Sequence, residues 1–171
     1  MLSNSFIKLV SPFFIFILAL ALSCSSAKDS TKFAPTAAQG GLEEVELGRL
    51  AVQRAADPAV IEFGQRMVTD HSRANAELKA VAARKNIQLP TDLSSSQKST
   101  MDKLSKLSGA EFDREYMSDM VKDHETDVKE FETQAKEGTD TDVKDFATKT
   151  LPTLQAHLQM ARNVARKVGA Q

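Results

Sequence analysis

Apolar residues recur along this chain at alternating steps of four and three, the spacing that places side chains on one face of an α-helix. Val60, Gly64, Met67, His71, Ala74, Leu78 and Val81 form one such seam. Met117, Val121, His124, Val128, Phe131 and Ala135 form a second, and Val143, Ala147, Thr150, Leu154, His157, Ala161 and Val164 a third. No stretch alternates with the period of two that a half-buried strand requires, so the pattern predicts an all-α fold.

Punctuation between the seams sets the elements. A first helix is expected over Leu42 to Ala56, and Asp57 with Pro58 reads as an N-cap followed by proline at the first helical position. The second helix then runs to about Lys85. Asn86 to Ser96, with Pro90 and three serines in a row, reads as a loop, and Gln97 to Leu107 as a short helix. Ser108 and Glu111 have the spacing of a capping box opening the longest helix, Ala110 to Glu137, which Gly138 ends. The last helix covers Asp142 to Lys167, with Pro152 expected to kink it. Two tight helix pairs joined by one long crossover that carries a short extra helix is the arrangement of a ferritin-like four-helix bundle.

Ahead of the bundle, Lys8 and the apolar run Phe13 to Leu22 suit a secretion signal and are too short to span a bilayer. Residues 1–23 are therefore assigned to a signal peptide, 24–41 to a flexible tether and 42–168 to the bundle domain. The run Leu20, Ala21, Leu22, Ser23, Cys24 resembles a lipoprotein cleavage box, in which Cys24 becomes the lipidated N-terminus. Ordinary cleavage near Ser23 or Ala27 is the alternative. Lipidation would anchor an exported, periplasmic protein to a membrane, and Ser25 after the cysteine points to the outer one. The 171 residues, 42% of them hydrophobic, suffice for one domain with a core. A net charge of -1 without a basic stripe argues against a nucleic-acid partner, and a lone cysteine excludes a disulfide scaffold.

The chain has three histidines, and all three sit in mid-seam. One histidine on an apolar seam is commonly a hydrogen-bonded core residue. Three at the midpoints of three helices share a layer of a bundle, where unpaired rings would be costly to bury. Ligation of Zn, Cu, Fe or Ni by His71, His124 and His157 would remove that cost, as would a network of carboxylates. Glu46, between Leu42 and Leu50, is the preferred fourth ligand, with Asp127 and Asn75 as other groups within a turn; the alternative for Glu46 is a solvent-facing pair with Arg49. Asp70 and Asp123 precede their histidines by one residue, which turns them about 100° away and suits them to holding imidazoles rather than the metal. Asp127 and Asn75 are counted with them as supporting residues.

The residues three before the histidines are Val68, Val121 and Leu154, so the Glu-x-x-His motifs of dinuclear iron enzymes are missing. No nucleophile has an activating context, and no catalytic residue is assigned. Met67, Met117 and Met120 would suit copper, but at helical spacing they read as core.

Several groups of residues resemble the bacterial exported ferritin-like family catalogued as domain of unknown function 4142. They are Glu44 to Gly48; Phe63, Gly64, Met67, Val68, Asp70 and His71 with Asn75, Leu78 and Leu89-Pro90; Phe112, Asp113, Tyr116, Met117, Asp123 and His124; and Leu151, Pro152, His157 and Leu158. The resemblance covers residues 38 to 167. It implies a helical bundle outside the cytoplasm and no settled activity. Three functions remain open: an envelope bundle that stores, buffers or senses a metal, a structural or interaction protein of the envelope without one, and, least favoured, an oxidoreductase with one or two metals.

Overall fold

A computed structural model describes residues 30–170, so the leader, Cys24 and the start of the expected tether lie outside the described residues. Five helices follow in order: α1 Ser30–Arg54, α2 Pro58–Lys85, α3 Ser95–Ser105, α4 Gly109–Glu137 and α5 Thr141–Val168. Among the described residues no strand is formed and no helix is long and apolar enough to cross a membrane.

The tether assignment fails over residues 30–41, which are the first three turns of α1. Proline and small residues read as a linker there, but they form a packing face: Phe33, Ala34 and Ala38 are buried, and Phe33 meets Phe131 of α4 edge-on at 4.9 Å.

Asp57 caps α2 by accepting from the Ala59 amide at 2.8 Å, with Pro58 at the first helical position. Asn86 ends the helix in the left-handed region at φ 55°, with the Ile87 amide donating back to the Ala82 carbonyl at 2.9 Å. The capping box forms at α3 and not at α4. The Ser94 hydroxyl accepts from the Gln97 amide, and Gln97 Oε1 from the Ser94 amide. Ser108 stays extended and its side chain caps nothing, because Gly109 follows it at φ 62° and turns the chain away from the capping geometry. Asp140 caps α5, which continues unbroken through Pro152.

Helix α1 packs most extensively on α2, and α4 on α5. The buried Asp113 carboxylate at the start of α4 accepts from the Ala56 and Asp57 amides in the α1–α2 turn, at 3.1 and 2.9 Å. Lys167 near the end of α5 reaches Asp57 at the same end. Helix α4 therefore starts where α2 starts and runs parallel to it. The crossover returns along the length of the bundle, the topology of ferritin-like folds.

The core comes in two apolar halves. One gathers Leu47, Phe63, Met67, Tyr116, Met120 and their neighbours; the other gathers Phe33, Leu78, Phe131, Phe146 and Leu154. A polar layer separates them.

Candidate metal centre

Glu44, His71, His124 and His157 make up that layer, one residue from each long helix and each at most 6% exposed. The seams supply the reason. His71 stands one turn past Met67, His124 one turn past Met120, and His157 between Leu154 and Ala161, so apolar neighbours hold each ring at the bundle waist. The ring centroids are 5.4, 5.5 and 5.9 Å apart, close to an equilateral triangle. Phe63 meets His124 edge-on at 6.0 Å.

Each imidazole has one nitrogen engaged and one without a partner. His71 Nδ1 lies 2.7 Å from Glu44 Oε2. His124 Nδ1 donates to the Met120 carbonyl at 2.9 Å and lies 3.2 Å from Glu44 Oε1. His157 Nε2 donates to Asp70 Oδ2 across the α2–α5 seam at 2.9 Å. The remaining nitrogens, Nε2 of His71, Nε2 of His124 and Nδ1 of His157, are buried and unpartnered. A ligating nitrogen from each of the three rings lies within 4.8 Å of the other two. Among the described residues no other set of three such side chains comes so close.

A buried polar atom left unsatisfied costs about 1–3 kcal/mol, and here three lie in one layer. The donor set fits a transition metal. Metal-bound histidines characteristically give the other ring nitrogen to a carboxylate or backbone carbonyl; His124 and His157 do so here, and His71 sets its Nδ1 2.7 Å from the Glu44 carboxylate. A metal–nitrogen bond of about 2.05 Å would put tetrahedral ligands about 3.3 Å apart, so nitrogens as far apart as 4.8 Å would have to close by about 1.5 Å. The site would be facial, with coordination positions open to an outside ligand.

Charge in the layer is uneven. Burial alone pushes the Glu44 carboxyl up, but the imidazoles of His124 and His71 outweigh it and hold it down at about 2. At His71 burial disfavours the charged ring, and the Glu44 carboxylate overcomes this and raises its pKa. Neither Glu44 oxygen has a donor in hydrogen-bond alignment, so the pair is held by charge and distance. His157 goes the other way, down to about 4, through burial and the two neighbouring rings, with Asp70 only partly compensating.

The sequence places Glu46 at the centre, and the structure does not. Its side chain is 42% exposed and bonds Arg49 at 2.7 Å on the outer face of α1, while Glu44, two residues earlier and about 200° round the helix, faces the histidines. Asp70 holds His157. Asp123 and Asp127 hold no histidine; they lie along the α1–α4 groove, where burial and the charge of Glu44 raise both, Asp123 to about 7. Asn75 packs on the α1 backbone at Gly41. Tyr116, fully buried with its hydroxyl unpartnered, is a polar group that the spacing argument overlooked.

Two solved structures share this fold. A DUF305 protein from Streptomyces coelicolor, described as secreted, superposes with a TM-score of 0.71 over 83% of this chain and 93% of its own, at 15% identity. A DUF305 fragment from Deinococcus radiodurans gives 0.69 over 82% and 98%, at 14% identity. Identity this low speaks for the fold alone. No curated protein matches the chain. The model of the family described as domain of unknown function (DUF4142) matches residues 19–164, a span that holds three of the four long helices, all but the last turn of α5 and all three histidines, and the chain belongs to that family.

Proposed function

We propose that this bundle is an envelope protein that binds one transition-metal ion, Zn, Cu, Fe or Ni, through His71, His124 and His157, and serves to store, buffer or sense it. One observation carries the reading: three imidazoles, each with one nitrogen engaged by the protein and one buried without a partner, bring a ligating nitrogen apiece within 4.8 Å of one another. Glu44 orients two of them at once, and Asp70 the third. The leader at residues 1–23, with Cys24 as a lipidated N-terminus, supports export and attachment to the outer membrane. A solved relative in fold that is described as secreted is in keeping with this.

Protein purified after growth with each metal should retain close to one equivalent by elemental analysis, and His124→Ala should lose it. Equal retention by that variant would remove the histidines from the site. The Glu44–His71 pair favours a second reading, a metal-free structural or interaction protein in which the carboxylate and a charged imidazole stabilise the waist between them. Under that reading a chelator leaves the melting temperature unchanged while His71→Ala lowers it.

A further inference from the structure

We propose that the cation reaches the centre through the groove between α1 and α4, drawn in by a row of carboxylates and admitted past a latch formed by Gln39 and Gln97. This rests on the reading of the histidine layer as a metal site. The three rings are closed off from solvent, so an ion has to enter along a seam between helices.

The two seams that carry polar groups to the layer differ in sign. On the α2–α5 side the carboxylate next to the centre is Asp70, and Arg73 and Arg66 stand over it at 3.1 and 3.8 Å. Lys149 borders the same cleft, paired with Glu77, so Arg66, Arg73 and Lys149 stand there against two carboxylates and leave a net positive charge. On the α1–α4 side Asp119, Asp123 and Asp127 follow one another at four-residue intervals and make one stripe along α4. Glu43 on α1 is near enough to Asp119, Asp123 and Asp127 to repel them. The row is not itself a metal site, because among the described residues only the histidines draw within reach of one ion. Burial and mutual repulsion raise Asp123 and Asp127, so Glu43 and Asp119 carry most of the negative charge of a guiding field of the kind that raises association rates.

A pocket of about 470 Å³ opens in this groove, with Asp127 and Glu130 on one wall, Gln39 and Gly40 on the other, and Pro90 and Gln97 of the crossover across it. Gly40 presents bare backbone to Asp127, whose Oδ1 would lie 3.9 Å from a Cβ built there. Asp127 is about one turn, roughly 5 Å, along α4 from His124. Over the pocket Gln39 Nε2 donates to Gln97 Oε1 at 2.5 Å and to the Asp92 carbonyl at 3.0 Å, and Gln97 Nε2 donates to the Gln39 carbonyl at 3.0 Å. The amides are neutral, with Gln97 also bonding the Glu43 carboxyl, and each amide–amide bond exchanges with water for only about 1 kcal/mol. They tie the crossover to α1 and can release it.

Stopped-flow loading of the purified protein with Cu²⁺, followed by absorbance and paired with equilibrium dialysis, tests the route. Glu43→Gln with Asp119→Asn should slow loading about tenfold at low salt and flatten its salt dependence, with the amount bound unchanged. Gln39→Ala leaves the α3 capping box in place and should speed loading about fivefold or more. Arg73→Gln on the opposite seam should leave the rate unaltered. Full equilibrium loading with rates indifferent to the Glu43, Asp119 and Gln39 changes, or a rate that rises in Arg73→Gln alone, overturns the route and spares the centre. Wild-type protein that binds no Cu²⁺ at equilibrium overturns both.

Discussion

Glu44 Oε2 and His71 Nδ1 meet at 2.7 Å across the α1–α2 seam, between two glycine positions of α1 that let α2 in close. Gly41 faces Asn75 on one side of the pair, and Gly48 faces Gly64 on the other. The carboxylate reaches the ring because these glycines let α2 approach: the Asn75 side chain lies on bare backbone at Gly41, and at Gly48 the backbone meets that of Gly64.

Glu44→Gln keeps the size of the side chain and removes the charge that orients His71 and His124. Loss of such a supporting partner lowers metal affinity about 10- to 100-fold, and competition titration should find a loss of that order. Glu46→Gln, on the outer face, should bind as wild type does. An equal loss in the two variants would return Glu46 to the site and remove the special position of Glu44.

The close approach can be tested apart from any metal. A Cβ at Gly64 would stand 2.8 Å from the Gly48 carbonyl oxygen and 2.8 Å from Ala51 Cβ, distances that force α1 and α2 apart. Gly64→Ala is expected to cost about 1–3 kcal/mol in urea denaturation, against the few tenths to one that alanine ordinarily gains over glycine inside a helix. A stabilised variant would show that the seam has slack.

Much of this was legible in the sequence, and the part that was not has a definite cause. Histidine level follows from helix length and midpoint, which caps and breakers fix well; His71, His124 and His157 therefore came out in one layer. The phase of α1 did not, because Pro35, Gly40 and Gly41 hid the three turns carrying Phe33, Ala34 and Ala38. With the helix begun at Leu42, the face through Leu42 and Leu50 favours Glu46. Positions 34, 38, 41, 44, 48 and 51 show that the buried stripe runs through Glu44 instead. Contacts across helices, such as Asp70 with His157 or Asp113 with the α1–α2 turn, depend on the rotation of two elements at once and leave no mark in either segment alone.

Asp113 pins that turn to α4 with two charge-assisted hydrogen bonds from a buried carboxylate. Asp113→Ala leaves the Ala56 and Asp57 amides without acceptors, a loss of about 2–4 kcal/mol at about 1.5–3 per bond to a charged group, partly offset where water reaches the turn. Thermal unfolding of the metal-free protein measures it. A change below about 0.5 kcal/mol would mean that the turn holds its shape unaided.

His157 should give the metal-free protein a recognisable dependence on pH. Its folded pKa, about 4, lies below the usual 6.5, so folding favours the neutral ring. The stability this contributes is complete above pH 6.5 and is lost as pH falls from 6.5 to 4, in total about 3 kcal/mol. His71 has the opposite sign: its pKa is raised, so its contribution is full below 6.5 and fades only as pH rises through the folded value. Asp123, pushed up to about 7 by burial and by Glu43, Glu44 and Asp119, gains stability on acidification over the same window as His157. The quantity to read is therefore the difference in unfolding free energy between wild type and His157→Leu as pH is lowered. It should move against wild type by about 3 kcal/mol between pH 7 and 4. A difference that stays flat would mean that His157 takes up its proton as readily in the bundle as in the unfolded chain, and that Asp70 compensates fully for burial.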